Sequence, residues 1–101
     1  MGDEGDLETW AREEIRRAGG LMLKWASPGR RGPPDNIVFW PAQVVHFLEF
    51  KAGDGRIDPL QSMFHRQLAV FGHIVKIPRD RGWVKMYIRK YAGGAREENT
   101  R

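Results

Sequence analysis

Apolar residues recur every three to four positions between Leu7 and Ala18, and that period predicts a helix over residues 7–18. Leu7, Trp10, Ala11, Ile15 and Ala18 form its apolar stripe, and Gly19-Gly20 stop it. Four short stretches have the apolar, β-branched or aromatic character of strands: 21–26 (LMLKWA), 36–40 (NIVFW), 44–51 (VVHFLEFK) and 73–77 (HIVKI). Only Pro41-Ala42-Gln43 separates the second from the third, so those two are expected to form a hairpin. Asp58-Pro59 opens a further helix reaching about Phe71, with Asp58 as N-cap and Pro59 at the first helical position. Gly72 closes it. Residues 82–91 (GWVKMYIRKY) suit either a helix or a strand, and we read them as a helix. The segments left over are loops: Ser27 to Pro34, crowded with Gly, Pro and Arg, and the glycine-rich 52–58. The polar tail from Gly93 onward is expected to fray.

The order helix, three strands, helix, strand, last element predicts an α/β fold, a mixed β-sheet flanked by helices. Stretch 44–51 is expected near the middle of the sheet. Val45 and Phe47 face one way, Val44, Leu48 and Phe50 the other, and a strand apolar on both sides needs a layer on each. A length of 101 residues suits one domain, here read as 1–101 with a core over about 7–91.

Composition narrows the setting. Without cysteine, neither a disulfide framework nor a thiolate zinc site can be built. No apolar run approaches the roughly 18 residues of a membrane-spanning helix, and the acidic start (Asp3, Glu4, Asp6) is unlike a signal peptide, so a cytoplasmic protein without membrane contact is expected. The net charge of +4 makes a polyanionic partner plausible without requiring one. Its distribution says more, because Arg30, Arg31, Lys51, Arg56, Arg66, Lys76, Arg79 and Arg81 fall in or beside loops and strand ends. The four tryptophans offer stacking surfaces, although filling a core is their commoner use.

One cluster carries chemistry. Alternation along 44–51 places Glu49 and Lys51 on one face, where an apolar strand meets solvent. Folding the hairpin about Ala42 sets Trp40 against Val44, Phe39 against Val45 and, counting on, Asp35 against Glu49. Directly opposed side chains in such a ladder have β-carbons roughly 4.5–5.5 Å apart. Two carboxylates at that range repel unless a cation lies between them, and an all-oxygen set suits Mg²⁺. Lys51 on the same face could then steady a phosphate or the attacking water. Taken singly, each residue has a plain reading: Asp35 as a turn residue, Glu49 and Lys51 as a surface ion pair.

Pro34-Asp35 followed by Glu49-Phe50-Lys51 resembles the signature of the PD-(D/E)XK nuclease superfamily. The run Ser27 to Asp35, then Leu48 to Lys51, then Asp58-Pro59-Leu60-Gln61 and His65, is similar to the virus-type replication-repair nuclease (VRR-NUC) domain over about Leu7 to Ile77. Two positions depart from the usual pattern: Pro33, where the family has Gly or an apolar residue, and Phe50, where it has an aliphatic one. Neither removes a reactive group. The resemblance implies a Mg²⁺- or Mn²⁺-dependent DNA endonuclease of the stand-alone phage type. Such a protein would work in the host cytoplasm as a homodimer resembling Holliday junction resolvases and cut branched, four-way DNA. It implies Asp35, Glu49 and the Phe50 backbone carbonyl as metal ligands, with Lys51 supporting nucleophile and phosphate. The family's helical acid falls at Glu8 by spacing from Gly19; Glu14 competes, and either could be a solvated helix acid. Gln61 is implied near the metal, although a capping box with Asp58 would explain it equally. Ser27, Arg30, Arg31, Arg56 and His65 are implied as DNA contacts.

A catalytically idle nucleic-acid-binding module would need the arginines and not the acidic pair. A flap- or restriction-type endonuclease is the rival within the enzyme class, and the lack of a separate specificity domain favours recognition of DNA shape. Trp83, Met86, Tyr87 and Tyr91 are candidates for a pairing surface.

Overall fold

The computed structural model describes residues 4–26 and 32–92. Its elements run α1 (Glu4–Arg17), β1 (Leu21–Lys24), β2 (Asn36–Trp40), β3 (Val44–Leu48), α2 (Pro59–Val70), β4 (Val75–Lys76) and α3 (Arg81–Tyr91). Every expected element is present, and 82–91 resolves as helix. The tail from Gly93 lies outside the described residues.

The strands form one sheet in the order β1-β2-β3-β4. β1 to β3 are antiparallel neighbours, whereas β4 joins β3 in parallel, so the sheet is mixed. Trp40 pairs with Val44, Phe39 with Val45 and Asn36 with Leu48, as the symmetric turn requires. The turn holds that register by placing Ala42 and Gln43 at φ 67° and 66°, the left-handed region.

α1 and α3 cover one face. Leu7, Ala11 and Ile15 of α1 and Val84 and Tyr87 of α3 pack on Met22, Val38, Trp40, Leu48 and Phe50. Gly20 is required at the α1–β1 corner, because a β-carbon there would lie 2.8 Å from both Ile15 and the Trp40 ring. Two structural polar links cross this core. Trp40 Nε1 donates to the Tyr87 hydroxyl at 2.8 Å, and that hydroxyl lies 2.6 Å from His46 Nδ1. Burial first, then the charges of Lys76 and Lys90, push His46 down to about 4, so its ring is neutral beside Tyr87.

α2 covers the other face at one end. Trp25 touches both Phe47 and Phe64 at ring-centroid distances of 5.5 and 6.4 Å. The start of α2 is fixed by its cap: the Asp58 carboxylate accepts from Gln61 N, and Gln61 Oε1 accepts from Asp58 N. The far end of the face stays open, and Leu21, Phe39 and Val45 form an exposed cross-strand row there. No helix of the described residues is long and apolar enough to cross a membrane.

Candidate active site

The ladder changes partner after Leu48. Glu49 N bonds Lys76 O, Lys51 N bonds Pro78 O and Gly53 N bonds Arg79 O, so the chain stays extended past the end of β3. Phe50, fully buried, points into the α1–α3 core. Its neighbours Glu49 and Lys51 therefore turn toward α2. On the adjoining strand, Trp25 N bonds the Asp35 carbonyl at 2.8 Å, and Asp35 sits between fully buried Pro34 and Asn36. The β2–β3 register runs to Asn36 and Leu48, so Asp35 and Glu49 are the next residues beyond its end, near enough for the charge of one to act on the other.

Glu49 is 1% exposed, which is rare for a carboxylate. Gln61 Nε2 donates to its Oε2 at 2.9 Å, so Gln61 caps α2 with one end of its amide and holds Glu49 with the other. Local cap and site contact coexist. The other oxygen, Oε1, is buried without a hydrogen-bond partner among the described residues. The Asp35 carboxyl lies close enough to share a hydrogen bond with Glu49 when one of the two is protonated, and two ionised groups there would repel. Burial, and then the closeness and charge of Asp35, push Glu49 up to about 8; Lys51 opposes this, and Glu4 adds a smaller repulsion. An orphaned carboxylate oxygen beside a second carboxylate is what a hard divalent cation would satisfy. The donor set of Asp35 and Glu49 fits Mg²⁺ or Mn²⁺.

The structure does not bring Glu8 to this pair. Its Oε2 takes Lys24 Nζ at 2.6 Å, Asn36 Nδ2 at 3.1 Å and Arg12 at 3.2 Å, which fix it over the β1–β2 edge. Glu14 pairs with Arg17 at 3.2 Å. Among the described residues, no three acids or histidines gather as a metal-binding group. The α1 acid whose charge Glu49 feels is Glu4, one turn before Glu8 on the same stripe.

His65 follows one turn after Gln61 on α2. Its Nε2 is buried without a partner among the described residues, and burial lowers its affinity for a proton, with Asp58 opposing and Lys51 adding to the effect. It therefore belongs to the edge of this site. Arg56 is exposed in the loop before α2. Ser27, Arg30 and Arg31 lie outside the described residues. The chain re-enters at Gly32 with φ 102°, pressed so near α2 that a β-carbon would meet the Leu60 carbonyl at 2.7 Å. A cleft of about 370 Å³ opens here between Gly32 and Asp58 to Gln61.

No family model matches the chain. It is 39% identical over 72 residues to "Putative nuclease p44" of Acyrthosiphon pisum secondary endosymbiont phage 1, a match covering 71% of this chain and 77% of that protein. A solved structure described as "VRR_NUC domain" superposes with a TM-score of 0.79 at 31% sequence identity, over 87% of this chain and 96% of its own.

Proposed function

This chain belongs to the VRR-NUC family of nucleases, and from that membership we propose that it is a divalent-metal-dependent endonuclease acting on branched DNA, four-way junctions above all. The observation that carries the metal reading is the buried Oε1 of Glu49, without a hydrogen-bond partner among the described residues, on a carboxyl crowded by Asp35. Asp35, Glu49 and the Phe50 carbonyl would hold Mg²⁺ or Mn²⁺, which supplies positive charge to the phosphate oxygens and acidifies a bound water. The remaining roles fall to the chain itself. Gln61 keeps the Glu49 carboxylate aimed into the site through its 2.9 Å bond. Lys51 donates to the scissile phosphate or the attacking water. Glu8, held by three donors, is left to brace β1 and β2.

Ser27, Arg30, Arg31, Arg56 and His65 are proposed to follow the DNA backbone on either side of the cut, in the host cell's cytoplasm. Phosphate contacts give affinity without reading sequence. Changing Arg30 and Arg31 together to Ala should weaken binding to linear, flap and four-way DNA alike. The slope of log affinity against log salt should fall by about two, one for each lost phosphate contact. A loss confined to one DNA sequence would show instead that these arginines read bases.

The test of the activity is cleavage of linear, flap, splayed and four-way DNA with Mg²⁺ or Mn²⁺, and with EDTA. We expect paired symmetric nicks in the four-way substrate and none with EDTA. Binding without cleavage of any substrate would leave a nucleic-acid-binding module, and flap cleavage alone would leave a flap nuclease.

Two symmetric nicks call for two centres, so this reading includes a homodimer. Tyr87 lies in the core and Trp83 and Tyr91 pack against it, which leaves Met86 alone exposed of the four α3 candidates for pairing. We assign pairing to the open row Leu21, Phe39 and Val45, which are 50%, 41% and 39% exposed. Light scattering should return twice the 11.6 kDa chain mass at micromolar concentration. Phe39→Glu should return the single mass. A wild-type monomer would remove both the pairing and the resolvase assignment.

A further inference from the structure

Arg79 is bound to the loop after Lys51 in three places. Its carbonyl accepts from Gly53 N at 3.0 Å, and its Nη1 donates to the carbonyls of Gly53 at 2.9 Å and Gly55 at 2.6 Å. Both carbonyls belong to a tight turn, closed by Gly55 N to Ala52 O at 3.1 Å, with Gly53 at φ 60°. Just before that turn, Lys51 N bonds the Pro78 carbonyl at 3.1 Å, so segment 78–79 holds Lys51 and the turn together.

Gly55 connects this clamp to the reactive side chain. A β-carbon placed on Gly55 would lie 3.7 Å from Lys51 Cβ and 3.8 Å from its Cδ. The turn therefore runs beside the aliphatic stem of Lys51, as a wall set back by the β-carbon that Gly55 lacks. A lysine stem is long and flexible, and an unwalled one spreads its ammonium over many positions. Placing an ammonium on one phosphate oxygen requires that most of them be excluded. The guanidinium fixes the wall by holding its carbonyls.

From these contacts we infer that Arg79 is a positioning residue that aims Lys51 at the scissile phosphate by pinning the 52–55 turn against the lysine stem. This rests on the proposed nuclease reading and extends it to a residue outside the signature motif. Arg79 also lines a cleft of about 330 Å³ with Ala52, Gly53 and Arg81, so a direct contact to DNA phosphate is the competing role for it.

The experiment compares Arg79→Met, Arg79→Lys, Lys51→Ala and the double variant Arg79→Met/Lys51→Ala in the full chain. It measures single-turnover cleavage of a four-way junction, Mn²⁺ and DNA affinity, and amide hydrogen exchange. Arg79→Met should speed exchange at Gly53 and Gly55 and lower the cleavage rate roughly ten- to hundredfold. Mn²⁺ and DNA affinities should stay within about twofold, because neither the carboxylate pair nor the phosphate contacts change. Arg79→Lys should recover part of the rate, since an ammonium keeps the charge and donors but stops one bond short of Nη1. In the Lys51→Ala background, Arg79→Met should cost nothing further, because the two act as one unit. An equal loss in both backgrounds overturns the inference, since Arg79 would then act without Lys51. So does faster exchange with an unchanged rate. Weaker DNA binding with a shallower salt dependence and an intact rate assigns Arg79 to phosphate and overturns it too. If Lys51→Ala cleaves as well as the wild type, the reading of Lys51 fails first and the positioning role fails with it.

Discussion

Glu49→Gln and Asp35→Asn should each abolish cleavage, by a factor of roughly 10³ or more, while DNA affinity should stay within a few-fold. Each change keeps the shape of the side chain and removes one of the two charges that would hold the metal. The Gln61 contact supports the comparison, because the amide carbonyl that Glu49→Gln introduces can accept the same 2.9 Å hydrogen bond. Calorimetry should show Mn²⁺ binding lost in both variants. Retention of full Mn²⁺ affinity in both would refute the metal assignment, whatever happened to the rate. A second readout separates a site residue from a structural one. Two crowded carboxylates, one of them 1% exposed, oppose folding of the metal-free protein, so Glu49→Gln should raise its melting temperature by about 5 °C. A lower melting temperature would mean that Glu49 serves the fold instead.

The same crowding sets a pH dependence. Burial, then Asp35, raises Glu49 to about 8 in the folded, metal-free protein, above the value of 4.5 expected for an unfolded chain. A raised acid favours folding only while it is protonated. Its contribution is therefore complete below about pH 4.5 and is lost as pH climbs through about 8. A cation must displace that proton, so Mn²⁺ affinity should rise about tenfold per pH unit near neutrality and level off above pH 8. Calorimetry at about pH 7 in buffers of different ionisation enthalpy should detect about one proton released per ion. An affinity that stays flat from about pH 6 to about pH 9 would show that Glu49 is ionised before the ion arrives.

How much of this the sequence discloses depends on how local each contact is. The nearness of Asp35 and Glu49 is prepared by three residues, Pro41-Ala42-Gln43, because a symmetric turn fixes the β2–β3 pairs as far as Asn36 and Leu48, one step short of them. The capping box at Asp58 and Gln61 is equally local, and it would account for Gln61 by itself, so its second use across twelve positions of chain is signalled only by the family resemblance. What stays hidden is set by distant packing. The stripe of α1 carries both Glu4 and Glu8, and only the packed fold shows that Glu49 feels a small repulsion from Glu4 while Lys24, Asn36 and Arg12 hold Glu8. Trp83, Tyr87 and Tyr91 read equally well as surface or core, since a helical stripe does not say what lies against it. Arg79 was visible only as a loop cation, because the acceptors it binds are backbone carbonyls and every residue has one.

Lys51→Ala should lower the cleavage rate by roughly 10²–10³ and leave Mn²⁺ affinity nearly unchanged. The separation follows from charge. A protonated ammonium cannot be a metal ligand, and its removal takes nothing from Asp35 or Glu49 except the small attraction that works against the raised Glu49. Metal affinity should therefore fall slightly, through a higher Glu49 proton affinity, and by less than the rate. Lys51 is anchored by its backbone bond to Pro78 and by Phe50 behind it, so truncating the side chain leaves the extended segment in place. The ammonium matters where charge develops: phosphoryl transfer builds negative charge on the phosphate oxygens, and a donor already in position stabilises it without reorganising. The loss should thus appear in single-turnover rate and much less in DNA affinity, because ground-state phosphate is already held by other cations. Lys51→Arg tests the shape requirement, since it keeps the charge but spreads it over a planar fork. We expect that variant to stay at least about tenfold below the wild type. If Lys51→Ala abolished Mn²⁺ binding as Glu49→Gln should, Lys51 would be holding the carboxylate pair together and the assignment to phosphate would fall.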